Sequence, residues 1–160
     1  MIRANDVVPR GRQPLPDLPE SVEAVPPRPV GRAIILVVER DPNVRELETY
    51  FLNEAGFAVD FASDGVEALA RARALRPDII ISEVLVPKLD GLALCRAVKT
   101  DPDLRGTVVL IFSILAVRAR AEEAGADAFL MKPLGERRLV DTVRQLLLLR
   151  TRSDRGGTVS

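Results

Sequence analysis

The chain has 160 residues, 47% of them hydrophobic and 29% charged, which suits one soluble domain with a sizeable core. Lysine plus arginine balance aspartate plus glutamate at 23 each, so no net field favours nucleic acid or an anionic membrane. The absence of histidine and the single cysteine, Cys95, remove the usual zinc, haem, Cys/His-nucleophile and disulfide options and fit a reducing, cytoplasmic setting. No apolar run is long enough to span a membrane. Residues 1–31 hold seven of the twelve prolines and four arginines against two aspartates and two glutamates, with no hydrophobic periodicity. They read as a disordered, polyproline-biased extension, neither a secretory signal nor a transit peptide, with two PxxP spacings that any Pro-rich linker generates. Residues 32–150 read as the folded domain and 151–160 as a flexible tail.

Within the domain, strand and helix patterns alternate. Residues 33–38 (AIILVV) form an unbroken apolar run, as expected of a strand buried on both faces. Asp41-Pro42 then supplies a helix N-cap followed by proline at the first helical position. Val44, Leu47, Phe51 and Ala55 make the inward stripe of the first helix, and Gly56 stops it. Residues 57–62 alternate large and small and read as an edge strand. Asp64 and Glu67 have capping-box spacing for a second helix that ends before Pro77. The third strand, Ile79-Ile80-Ile81, is again continuous and β-branched, and Glu83 follows at once. Asp90-Gly91 opens a third helix over 91–99, in whose apolar pattern Cys95 is a packed thiol.

A strand at 108–112, a helix at 115–124, a strand at 128–131 and a helix at 136–149 complete five βα units. Such a succession gives a doubly wound, flavodoxin-like (βα)5 parallel sheet, and an edge position for the second strand gives the order 2-1-3-4-5. Chemistry in such sheets sits outside the carboxyl ends of the strands at the topological switch point. Here that crevice falls between the first and third strands and collects Glu39, Arg40 and Glu83, flanked by Ser113 and Lys132-Pro133. The acids and proline of VERDPN offer no flavin-phosphate cradle there.

The order and spacing of ILVVERDPNVREL, the VPKLDG loop, the Ser113 closing VVLIFS, and EAGADAFLMKP resemble the receiver domain of bacterial response regulators over residues 33–149. The resemblance implies a signalling module, not an enzyme, in which an acidic pair after the first strand holds Mg²⁺ and an aspartate after the third accepts a phosphoryl group from a histidine kinase. It further implies switch residues at Ser113 and Phe129, and phosphate contact by Lys132 ahead of a cis proline, Pro133. This chain departs from the pattern twice. The acidic pair reads Glu39-Arg40, and the phosphoacceptor position is Glu83. The stretch from Ser113 to Lys132 is also about three residues shorter than usual.

Those departures mark a degenerate receiver acting by phosphorylation-independent protein contact. Arg40 is expected to stand in for the metal by forking onto Glu83 or Glu39, making Glu39, Arg40, Glu83 and Lys132 sum to zero charge. Metal binding is then not expected, with Glu39 and Glu83 the weak candidate ligands. The alternative is a receiver that still accepts phosphate at Glu83 or Asp41 with residual Mg²⁺. The expected partner is a histidine kinase, a downstream signalling protein or a second copy, with no nucleic acid and no membrane. The ten residues after the last helix leave no room within this chain for a DNA-binding output domain. The contact face is expected on the fourth helix, fifth strand and fifth helix, through Leu148, Leu149 and Val117, rimmed by Arg118 and Arg144.

Overall fold

The structure, a computed structural model, describes residues 32–133 and 135–157. The Pro-rich extension at 1–31 lies outside the described residues. The elements are β1 (Ile34–Val38), α1 (Pro42–Glu54), β2 (Ala58–Ala62), α2 (Gly65–Leu75), β3 (Ile79–Ser82), α3 (Gly91–Thr100), β4 (Val108–Ser113), α4 (Arg118–Glu123), β5 (Ala128–Met131) and α5 (Glu136–Gly157). All strand pairings are parallel and the order is β2-β1-β3-β4-β5, which makes β2 the edge on one side.

The unbroken apolar runs are the interior strands. Ile35 to Val38, Ile79 to Ile81 and Val108 to Phe112 are all buried. Alternating side chains feed two cores, one on each face of the sheet. Leu36, Val38, Ile80, Val109 and Ile111 pack toward Leu92, Cys95 and Val98 of α3. Ile35, Val37, Ile79, Ile81 and Leu110 pack toward Leu52 of α1 and Leu139, Val143 and Leu146 of α5. Cys95 is buried, and burial pushes its thiol up to about 12, as befits a packing residue.

Aspartates start three of the helices. Asp41 accepts from the amides of Asn43 and Val44, Asp64 from that of Glu67, and Asp90 from those of Leu92 and Ala93. Glu67 in turn accepts from the amide of Ser63, the residue before the Asp64 cap, at 2.9 Å.

Three expectations shift. The inward face of α1 is carried by Glu48 and Leu52, whereas Leu47 is 55% exposed. Helix α4 is only Arg118–Glu123, because Ser113 Oγ accepts the Leu115 amide at 3.0 Å and holds that residue in a turn. Helix α5 continues to Gly157, through backbone expected to begin a loose tail at 151.

Two glycines fix the loop that follows β3. A Cβ on Gly91 would lie 2.3 Å from the Glu83 carbonyl oxygen, and one on Gly65 would lie 1.8 Å from that of Leu89. Their amides donate to Val84 O at 2.9 Å and Pro87 O at 3.1 Å. Only hydrogen fits at either position, so the starts of α2 and α3 close down on the 84–90 loop and set the backbone that carries Glu83.

Candidate functional site

Glu83 leaves the carboxyl end of β3 with its amide still donating to Val38 O of β1 at 3.1 Å, so the strand geometry extends through it. Its side chain is buried, and both carboxylate oxygens are engaged. Oε1 accepts the Ser113 hydroxyl and the Val84 amide, the latter at 2.7 Å. Oε2 accepts the Ile114 amide at 3.2 Å and faces Lys132 Nζ at the same distance. Burial pushes the Glu83 carboxyl upward, but the Ser113 hydroxyl, the Lys132 charge and the Val84 amide outweigh it and hold the group below its ordinary value.

Glu39 follows β1 and is likewise buried. Its Oε1 accepts from Lys132 Nζ at 2.6 Å and its Oε2 from the Asp41 amide at 3.0 Å. Lys132 directly follows β5; its amide donates to Ser113 O at 2.9 Å and its peptide bond to Pro133 is cis. Its ammonium also lies 5.2 Å from the Phe112 ring centroid. Burial would lower the lysine, but the hydrogen bond to Glu39 and the charges of Glu48, Glu39 and Glu83 raise it, so the ammonium is fixed.

The third carboxylate was not visible as a site residue in the sequence. Glu48 projects from the buried stripe of α1, with its Oε2 3.7 Å from Lys132 Nζ. That is an ion contact too long for a hydrogen bond, and Oε2 has no hydrogen-bond partner. Burial first, then the charges of Glu39 and Glu83, push Glu48 up to about 7 against the pull of Lys132. Its sequence signal was helical spacing, since Val44, Glu48 and Leu52 recur every four residues.

Arg40 does not take the expected role. It is exposed and forms no ion pair with Glu39 or Glu83; Lys132 bridges them. Successive residues leaving a strand point to opposite sides, so an inward Glu39 turns Arg40 outward. With Arg40 removed from the pocket and Glu48 added, three carboxylates against one ammonium sum to −2 when all are ionised, not to zero. Asp41 is exposed and spends its carboxylate on the N-cap of α1.

Phe129 is buried in β5, and Arg118 closes over it, donating to Phe129 O at 3.3 Å with its guanidinium 5.3 Å from the ring centroid. Arg118 is therefore tied to that residue instead of rimming a patch. Leu148 is 42% exposed, but Leu149 and Val117 are half-buried. Arg144 reaches the Ala55 carbonyl at the end of α1 at 3.4 Å. Leu148 lies one helical turn beyond Arg144 on α5.

A parallel sheet in this order, with carboxylates, a hydroxyl and a lysine gathered at the carboxyl ends of β1, β3, β4 and β5, defines a CheY-like signalling module. Residues 35–144 match the response regulator receiver domain family, and the chain belongs to it. It is 40% identical over 123 residues to the response regulator MprA of Mycobacterium sp. (strain KMS), covering 76% of this chain and 53% of that protein. The chain thus spans about half the length of the curated relatives it matches. Among solved structures, the signal receiver domain of a signal transduction histidine kinase from Syntrophus aciditrophicus is 41% identical, with a TM-score of 0.68 over 72% of this chain and 89% of that one. The chemotaxis response regulator CheY4 of Vibrio cholerae is 30% identical, with a TM-score of 0.68 over 72% of this chain and 98% of that one. The chain is therefore a receiver domain of two-component signalling.

The family implies Mg²⁺ in this pocket, and the residues present do not fit it. The Lys132 ammonium fills the space between Glu39 and Glu83, and among the described residues no three His, Cys, Asp or Glu side chains are placed to hold a metal ion. Mg²⁺ requires a near-octahedral oxygen shell at about 2.0–2.1 Å.

Proposed function

We propose that this receiver domain signals by protein contact without a phosphorylation cycle, with Glu83 acting as a built-in anion. The observation that carries the reading is the set of donors on that one carboxylate: the Ser113 hydroxyl, the amides of Val84 and Ile114, and the Lys132 ammonium. Groups of this kind, converging at the end of a sheet, would otherwise be available to an incoming phosphoryl group. Satisfied internally, they hold the β4–α4 turn against β3 in one arrangement. In this reading Glu83 stands at the phosphoacceptor position, Glu39 and Arg40 at the acidic pair, Ser113 and Phe129 at the switch positions, and Lys132 and Pro133 at the phosphate-contact positions. Lys132, not a metal, is the counter-ion.

The partner is a protein: a histidine kinase, a downstream signalling protein or a second copy. The exposed apolar side chains available to it include Ile114 after β4, Met131 on β5, Leu148 on α5, and Leu47 and Tyr50 on α1. The test is incubation of the full chain with a small-molecule phosphodonor and Mg²⁺, read by intact mass. The expected result is no stable adduct under conditions that modify an ordinary receiver. A single phosphoryl adduct mapped to Glu83 or Asp41 would restore the phosphorylatable reading with residual Mg²⁺.

A further inference from the structure

The pocket places three buried carboxylates around one ammonium. Burial weakens solvent screening, so two negative charges beyond what the lysine neutralises are costly, and one group gains by keeping its proton. Which group that is follows from the hydrogen bonds. Glu83 accepts the Ser113 hydroxyl and two amides, and Glu39 accepts one amide and the short lysine contact. Glu48 is the poorest served, with Oε2 unpartnered and the longest distance to Lys132. The buried carboxylate with an oxygen left unpartnered is the one that gains most by protonation.

Charged side chains on the surrounding elements have partners of their own. On α1 itself, Arg45 donates to Glu39 O at 3.1 Å and lies over the Phe61 ring. On β2, Asp60 is paired with Arg71 at 2.9 Å. On α5, Arg144 reaches Ala55 O, and Arg138 and Asp141 have interactions of their own. Burial and the charges of Glu39 and Glu83 move Glu48 into the neutral range against the pull of Lys132.

We propose that Glu48 is the proton-exchanging group of this pocket and a positioning residue for Lys132. With Glu48 protonated, Lys132 is shared between Glu39 and Glu83. With Glu48 ionised, the ammonium is drawn toward α1 and its hold on Glu83 loosens. The charge of the pocket and the restraint on the Glu83–Ser113 link then follow pH. The inference stands on the three-carboxylate cluster and needs neither the presence nor the absence of phosphorylation at Glu83.

The test is an NMR titration of the full chain that follows the glutamate carboxyl carbons and the Lys132 Nζ. The expected result is a Glu48 midpoint near 7 and a Lys132 inflection at the same pH. In Glu48→Gln, with Lys132 retained, that inflection disappears; Glu48→Leu, which completes the apolar stripe of α1, serves where the glutamine variant is poorly folded. A Glu48 midpoint at its ordinary 4.5 in the wild-type protein would overturn the proton-exchange assignment. A Lys132 inflection that persists in the variant would overturn its positioning role.

Discussion

Ser113 donates its hydroxyl to Glu83 Oε1 while its own Oγ accepts the Leu115 amide at 3.0 Å. One buried side chain therefore ties the end of β4 to the end of β3 and sets the turn that delays α4. Ser113→Ala removes both links and leaves a buried carboxylate short of a donor. A loss of about 1–3 kcal/mol in stability is expected from denaturant unfolding, with faster amide exchange at Leu115. Unchanged exchange there would mean the turn is held by other contacts.

The two cations beside the pocket should behave very differently. Lys132→Met strands Glu39 and Glu83 without their shared counter-ion, and breaking a buried pair this way costs about 3–5 kcal/mol. Arg40→Ala removes an exposed side chain and should stay within about 0.5 kcal/mol of wild type. Paired thermal melts decide the matter: equal losses would mean that Arg40 carries part of the neutralisation after all.

Gly91→Ala puts a methyl group 2.3 Å from the Glu83 carbonyl oxygen, a backbone atom that cannot step aside cheaply. The expected cost is about 1–3 kcal/mol, accompanied by shifts of the Glu83 and Ser113 resonances as α3 is pushed off the loop. Gly106→Ala, where nothing lies within 4 Å of the added carbon, is the control.

How far the sequence reveals all this depends on which physical rule governs each residue. The β-branched runs of β1, β3 and β4 and the capping aspartates of α1, α2 and α3 are local signals, and they give the (βα)5 order directly. Glu39, Glu83, Ser113 and Lys132 are legible because strand ends converge at the switch point. Glu48 is hidden because a charged residue on a helix normally faces water, and its burial depends on a lysine distant in sequence. The adjacency of Arg40 to Glu39 suggests a shared pocket, yet neighbours along an extended chain face opposite ways. The 151–157 stretch looks like a tail by composition, while the helix before it simply continues.

The last prediction concerns acid. Glu83 is depressed in the folded state from an ordinary 4.5, so its contribution to stability is present above that pH and is lost as the pH falls through the folded value. Glu48 has the opposite sign. Raised from 4.5 to about 7, it contributes fully below 4.5 and loses that contribution as the pH climbs toward 7. The two windows adjoin at 4.5, so their sum puts the stability maximum on the acid side of neutrality. Denaturant unfolding from about pH 3 to about pH 8 should show stability rising from the acid limb and then falling by roughly 2–3 kcal/mol on the approach to neutrality. Glu83→Gln should flatten only the acid limb and Glu48→Gln only the neutral one. A maximum at or above neutral pH in the wild-type protein would show that these two carboxyls do not govern its pH response.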